Sequence, residues 1–534
     1  MPPVPAKPLP PTEEDIQMLA ELFEKSDEAE AEYVAWVLGD WTGQLNVDPL
    51  LRVSASEWPK VRAQAASSFA MLGPILEGEQ RERAVRGLTR LLTDEDRQVV
   101  VASLRATGRL RAAGALNAVV RYVSSDAPDL AIAALGALEE AGIPDSFVHI
   151  QKVLGSPNAD VVLAAIKATG KLGNPALAEH IVDKLHAQSP AVRVAAIQAV
   201  VSLKAATQED RLLALLDDPH GYIRREALKG LVQLGGDKHE KVYLARTEDP
   251  DHTVRRVAAQ ALGQFRLRSG IGRLYALFAD PHLYVRDDAV LALVAMEDEK
   301  VVELAGQGLT SPIQTVRASS SQTLGRLRSD RNLEAHVALL KDPYLPARQW
   351  AAWALGEIGR KEACSALDER AFAADEDHET RSCAMLSLGK LGYVEALPAL
   401  ETLAAAKGQG EGVNEPLLSL RVAAVRALGL LKQESSVGLL TSRLTDEDPY
   451  FPEAPEVKYG SAVALGRIGS QKAAGPLDTY MRKGGPQKLR YGCRWALTRI
   501  EGKVPDYQIP PPDNPQPNYF VRRLPPTTDM PGSQ

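Results

Sequence analysis

Two His-Glu pairs, His239-Glu240 and His378-Glu379, are the residues of this chain best suited to metal chemistry. A neutral imidazole and a carboxylate are common ligands of a transition-metal ion, each held about 2 Å from it. Four histidines, His220, His252, His282 and His378, also fall within three residues ahead of an apolar-Arg or Thr-Arg pair. Their separation along the chain works against a shared ion. Packed helices lie roughly 8–10 Å apart, so equivalent positions on neighbouring elements do not converge on one metal. No metal site is expected. Cys364, Cys383 and Cys493 form no CxxC pair, and buried thiols in a reducing compartment are the expectation. No nucleophile elbow, phosphate loop or dinucleotide fingerprint occurs, so no catalytic residue, no cofactor and no enzymatic activity are expected.

A column of arginines is the most conspicuous polar feature: Arg193, Arg224, Arg255, Arg286, Arg317, Arg348, Arg381, Arg421 and Arg490. Such a row can bind phosphate or can hold a structure together. The structural reading is favoured because Asp-Pro turns recur close by, at Asp218, Asp249, Asp280 and Asp342. A guanidinium beside each carboxylate would satisfy both charges and align successive elements. Each turn Asp is also expected to cap the helix that follows it.

These residues are positioned by a repeat. Taking as position 0 the residue before the arginine, or its equivalent where another residue follows (Val99, Leu130, Val161 and Val457), the anchors are Val61, Val99, Leu130, Val161, Val192, Ile223, Val254, Val285, Val316, Ala347, Thr380, Leu420, Val457 and Leu489. From Val99 to Ala347 every step is 31 residues. A constant period of this length implies stacked supersecondary units, a solenoid. Each unit holds two helical patterns. In the unit of Val254 the second pattern buries Val254, Ala258, Leu262 and Phe265, at positions 0, +4, +8 and +11. Residues 16–41 read as a degenerate first unit. Aromatics make up only 5 % of the chain, which suits close-packed helices better than a β-sandwich.

The segments VRRVAAQALGQF, VRVAAIQAVVSL, ARQWAAWALGEIG and LRVAAVRALGLL resemble HEAT repeats, in particular the short phycobilin-lyase-like type, over roughly residues 55–502. The resemblance implies an all-α superhelix of helical hairpins whose second helices line a concave side. HEAT-like deoxyhypusine hydroxylases hold iron with His-Glu pairs inside the second helix. Here one pair lies in a first helix and the other in a turn, and that departure from the pattern is taken to reject that enzyme.

Three segments are distinguished: a Pro-rich arm at 1–12, a repeat region at 13–503 with about 14–15 units, and a Pro-rich tail at 504–534. Both ends are expected to be extended, although Tyr507, Tyr519 and Phe520 offer the tail a way to pack on the last repeat. Insertions at 405–419 and 445–456 break the period and are candidate binding loops.

Position +6 should face the groove. It is polar, charged or Gly from Ser67 to Gln260 and largely apolar from Leu291 onward. Leu291, Trp353, Leu386, Val463 and Trp495, with Trp350 one turn before Trp353 and Arg426 interrupting the track, form the expected partner-binding surface. Net charge is 62 − 69 = −7, which argues against a general nucleic-acid coat. Arg105, Arg109, Lys167, Lys171 and Lys229 nevertheless make a modest basic stripe. No run is long and apolar enough to span a membrane. The expectation is a cytoplasmic, non-enzymatic scaffold that binds a peptide or helix in its groove. A phycobilin-lyase-like enzyme and a HEAT-like nucleic-acid binder are the alternatives.

Overall fold

The computed structural model describes residue 23 and residues 27–40, 47–73, 76–142, 146–406, 415–448, 452–483 and 486–507. The arm at 1–12, nearly all of the tail at 504–534 and most of the insertion at 405–419 lie outside the described residues. Among the described residues every regular element is an α- or 3-10 helix. The architecture is an α-solenoid of stacked helical hairpins. No described helix is long and apolar enough to cross a membrane.

The chain divides into two compact units: Met1–Val242 with Asp249–Val257, and Tyr243–Glu248 with Ala258–Gln534. In the first, the second helices of successive hairpins include Pro59–Leu72, Arg97–Arg109, Pro128–Ala141, Ala159–Lys171, Pro190–Ser202 and Gly221–Gly235. In the second unit they are α1 (Leu283–Met296), α2 (Gln314–Leu327), α3 (Leu345–Ile358), α4 (His378–Leu391), α5 (Glu415–Leu431), α6 (Pro455–Ile468) and α7 (Gln487–Glu501). Most first helices are shorter and are preceded or followed by 3-10 turns, as in Ile271–Ala276 followed by Leu277–Ala279. The tighter 3-10 winding ends the first helix at the Asp-Pro turn, since proline can neither donate its own N–H nor let the residue before it stay helical.

The turn differs from expectation in one respect. The Asp of Asp-Pro is not the helix cap. The capping position lies two residues later, at His220, His282 and Tyr344, whose side chains make no capping bond. Asp218, Asp280 and Asp342 instead accept the backbone N–H of those same residues, at 2.9, 2.9 and 2.8 Å. Where the capping position is itself Asp or Asn, as at Asp96, Asn158 and Asp377, its side chain does accept from the first-turn N–H groups. The proline and the two-residue offset commit the Asp-Pro carboxylate to the turn, where Asp218, Asp249 and Asp342 face the arginine of the preceding repeat.

Neighbouring second helices touch through a glycine at +9 and a small residue at +7 of the next repeat. A Cβ added at Gly263, Gly325, Gly429 or Gly466 would lie 2.6 Å from an atom of Ala292, Ala354, Ala464 or Ala496, and for all but Gly325 that atom is the alanine's Cα. Backbone therefore meets backbone, and the apolar faces on either side close into a continuous core, such as the one in the second unit built on Leu355, Leu388, Leu428, Leu465 and Leu497. Gly466→Ala should cost about 1–3 kcal/mol, the usual penalty for overpacking. Gly475→Ala, with no neighbouring atom within 4 Å, should be neutral or slightly stabilising. Thermal melting of the two variants checks this, and equal melting temperatures would contradict the close approach.

Candidate functional site

The arginine column makes a repeated three-way contact. In the first unit, Arg224 Nε and Nη2 donate to Asp249 Oδ2 and Oδ1 at 2.9 and 2.6 Å. Its Nη1 donates to the carbonyls of Asp218 and Pro219 at 2.9 and 3.3 Å. Arg224 thus clamps the turn of its own repeat and reaches the acid of the next. Arg193 does the same with Asp218. Arg317 pairs with Asp342 through 2.6 and 2.9 Å bonds, and Arg348 and Arg421 use Glu376 and Glu453 instead of an aspartate. Arg255 and Arg286 hold the carbonyls of their own Asp-Pro turns. Arg381 donates to the Ala371 carbonyl. Arg490 donates to the Met481 carbonyl and to the Tyr507 hydroxyl, which seats the first residues of the tail on the last repeat.

Electrostatics follow from this geometry. Bonding to the carboxylates of Asp249 and Asp342 holds Arg224 and Arg317 more basic than an ordinary guanidinium. Burial alone would raise the Asp342 carboxyl; bonds from Arg317 and the Tyr344 N–H, with the charges of Arg317 and Arg348, outweigh it and keep it below the usual range. These guanidinium groups are spent on protein oxygens.

The +6 column divides in a way its sequence does not show. Arg105, Lys167, Gln198 and Lys229 are exposed in the first unit, as are Arg109 and Lys171, and Lys229 pairs with Glu226 at 3.2 Å. Of the apolar residues expected to form the track in the second unit, only Leu291 is exposed, at 51 %. Val463 is 2 % exposed and part of the core, so its expected place on a binding track is corrected. Trp350, Trp353, Leu386, Arg426 and Trp495 are half-buried. The cause is the +9 glycine, which leaves room for the next repeat's side chain. A Cβ at Gly325 would lie 2.8 Å from Trp353 Cζ3, and one at Gly466 would lie 3.0 Å from Trp495 Cζ3. Position +6 therefore does not point wholly away from the inter-helix core.

What remains at this face is a set of aromatic rings edged by cations. Trp350 and Trp353 meet edge to face at 5.4 Å, and Arg326 lies 5.9 Å from the Trp353 ring. Arg499 lies 5.4 Å from the Trp495 ring, and Lys488 lies 5.0 Å from the Tyr459 ring. Arg326, Arg467 and Arg499 share position +10, a column not singled out from the sequence. Reading it beside +6 would have found them.

Among the described residues no group of three or more His, Cys, Asp or Glu is placed to hold a metal ion. His239 Nε2 lies 2.7 Å from Glu209 Oε2, which also takes Lys238 at 2.6 Å. His378 Nδ1 lies 3.7 Å from Asp377. Burial pushes the Cys383 and Cys493 thiols up to about 12, leaving them protonated and poor nucleophiles.

The family model for HEAT repeats matches residues 240–325, 302–371, 338–415 and 411–498. HEAT repeats are therefore present in this chain, over a little under half of it. Yeast importin-β (Kap95p) superposes with a TM-score of 0.60 at 13 % identity, covering 91 % of this chain and 72 % of that one. A structure of Kap95p with RanGDP gives 0.61 at 14 % identity and the same coverage. At such identity the likeness shows the solenoid fold. Deoxyhypusine hydroxylase-B of Oryza sativa subsp. japonica is 28 % identical over 263 residues, 47 % of this chain and 79 % of the relative.

That relative corrects the expectation that the chain is not an enzyme, because the sequence it resembles is that of an enzyme. Absence of familiar catalytic motifs was a poor guide, since repeated positions in a solenoid report packing and not chemistry. The described residues nonetheless do not fit an iron centre built from His-Glu pairs. His239 is engaged by Glu209, and His378 opens α4.

Proposed function

We propose that the second-helix face of the HEAT repeats in residues 258–507 binds a protein partner. The observation that carries this reading is the run of half-buried aromatic rings bordered by guanidinium groups, Trp350, Trp353 and Arg326 on one side and Trp495 and Arg499 on the other. Aromatic and arginine side chains dominate binding energy at protein interfaces. Importin-β, whose fold is similar, is seen with RanGDP and with Nup1, which supports a protein-binding use of this scaffold. The repeats at 13–503 are read as an array of about 14–15 units, and the 31-residue period supports the short, phycobilin-lyase-like repeat type.

Trp353→Ala should weaken a partner by about 2 kcal/mol or more, roughly thirtyfold in Kd. Because its ring rests on Gly325, some loss of melting temperature should accompany this. Leu291→Ala, at an exposed position, should leave melting unchanged and separates the two effects. Affinity capture from the native source, followed by titration of the retained protein against both variants, checks the reading. Equal retention by wild type and both variants would sink it.

A second reading is supported by the rice relative: hydroxylation of a deoxyhypusine residue on a protein substrate. Incubation with iron(II), oxygen and a deoxyhypusine-bearing protein, read by mass spectrometry for gain of one oxygen atom, tests it directly.

A further inference from the structure

Helices α5 and α6 carry two polar groups that have no partner among the described residues. Arg426, half-buried on α5, makes no hydrogen bond or ion pair to any described residue. The Tyr459 hydroxyl on α6 makes none either, although the residue is only 8 % exposed. The helices are close here: a Cβ at Gly460 would lie 3.3 Å from Val425 Cγ1. The Tyr459 ring rests on Gly492 of α7, where a Cβ would lie 2.9 Å from it. Lys488 covers its other surroundings at 5.0 Å.

The charge environment is one-sided. The groups that act on Arg426 are the Tyr459 phenol and the Arg467 guanidinium, and no carboxylate is among them. Of the acids on nearby segments, Glu434 is engaged by Lys472 and Ser470, Glu453 by Arg421 and Arg443, and Glu447 by Lys483 and Tyr480, while Glu456 is exposed and is not among the groups acting on Arg426. Burial pushes the Arg426 guanidinium below its ordinary basicity, whereas bonds to Asp249 and Asp342 push Arg224 and Arg317 above it. A desolvated cation without a counter-ion destabilises the free protein. Such unrelieved groups are typical of binding sites. The adjacent Trp495 ring lies against Gly466, the residue before Arg467, and supplies an apolar neighbour.

We infer that Arg426 and Tyr459 form a recognition pocket for a carboxylate carried by a docked protein segment. The inference rests on the protein-binding reading above. A guanidinium matches the planar, two-oxygen geometry of a carboxylate, and the tyrosine hydroxyl can donate a further bond. The aromatic neighbour suits an acidic side chain flanked by an apolar one. A nucleic-acid backbone would ask for a long row of exposed cations, whereas Arg426 is half-buried and has only Arg467 and Lys488 about it.

The test uses the full chain and three fluorescein-labelled probes: an acetylated octapeptide of alternating Glu and Leu, the same peptide with Gln for Glu, and a DNA duplex. Fluorescence anisotropy should show the Glu peptide bound by wild type, weakened about tenfold or more by Arg426→Gln, less by Arg426→Lys, and a few-fold by Tyr459→Phe. The Gln peptide should bind weakly to all four proteins. Arg426→Gln should melt at or above the wild-type temperature, because it removes an unpaired charge. No binding of the Glu peptide, equal binding by Arg426→Gln, or equal binding of the Gln peptide each overturns the pocket. Duplex binding that depends on Arg426 as strongly would replace the carboxylate with phosphate and overturn it as well. A lowered melting temperature with unchanged affinity assigns Arg426 to the core. Loss of a captured partner in Trp353→Ala with no effect of Arg426→Gln removes the pocket and leaves protein binding standing. The reverse result removes the aromatic face and keeps the pocket.

Discussion

Arg224→Ala should destabilise the first unit by about 3–5 kcal/mol, the cost of stranding one member of a buried ion pair. The Asp249 side chain is fully buried and that of Arg224 is 11 % exposed, so neither charge is shielded by solvent once its partner is gone. The same substitution frees the carbonyls of Asp218 and Pro219, loosening the turn that starts the helix Gly221–Gly235. Repeat arrays respond through nearest neighbours. Hydrogen-exchange protection should therefore fall first in Gly221–Gly235 and the segment around Asp249, with more distant repeats less affected. Arg224→Lys should recover part of the loss, since an ammonium cannot hold two carboxylate oxygens and two carbonyls together. Arg97→Ala is the control: its partner Asp129 is about half exposed, and the change should be near zero. Equal effects of Arg224→Ala and Arg97→Ala would show that the ladder does not hold the repeats together.

The second large effect is acid sensitivity centred on His336. This histidine has no exposed surface, its Nε2 lies 3.1 Å from Ser321 Oγ, and its Nδ1 has no partner among the described residues. Burial lowers its pKa from 6.5 to about 4. The folded protein therefore holds the ring neutral, while the unfolded chain takes up a proton below pH ~6.5. Above that pH the group contributes no pH dependence. As pH falls from about 6.5 to about 4 the unfolded state binds the extra proton, and about 3 kcal/mol of stability is lost. Urea or thermal unfolding at several pH values should show a slope that His336→Asn flattens by close to one proton. Parallel slopes for wild type and variant would mean that His336 titrates freely in the folded protein.

The buried His336 illustrates where sequence reading stops. Ser319, Ser320, Ser321, Gln322 and Thr323 are consecutive in α2, span more than one helical turn and are all buried, in a stretch that other repeats fill largely with alanine and other small residues. Polar side chains of this kind do not by themselves signal burial. The structure buries them because the +7 and +9 contacts bring α2 and its neighbours together whatever the intervening residues are. Tyr459 was missed for a related reason. It lies at +2, outside the columns read as facing the groove, and only the glycine at 492 on the next helix gives its ring a seat.

The sequence alone determined the solenoid. A 31-residue period, a helical apolar pattern at 0, +4, +8 and +11, and Asp-Pro turns between helices leave no other economical way to bury those faces. It also placed arginine and turn Asp near each other once per repeat. Only the tertiary structure decided that the Asp belongs to the turn and pairs with the preceding repeat's arginine, 25 residues earlier in Arg224–Asp249 and Arg317–Asp342. It alone decided that Val463 is core while Leu291 is exposed, and that Arg426 has no partner among the described residues. Periodicity describes what successive repeats share. Exposure and charge pairing depend on how nearly each pair of neighbouring helices meets, which is set by the volume of residues one repeat away.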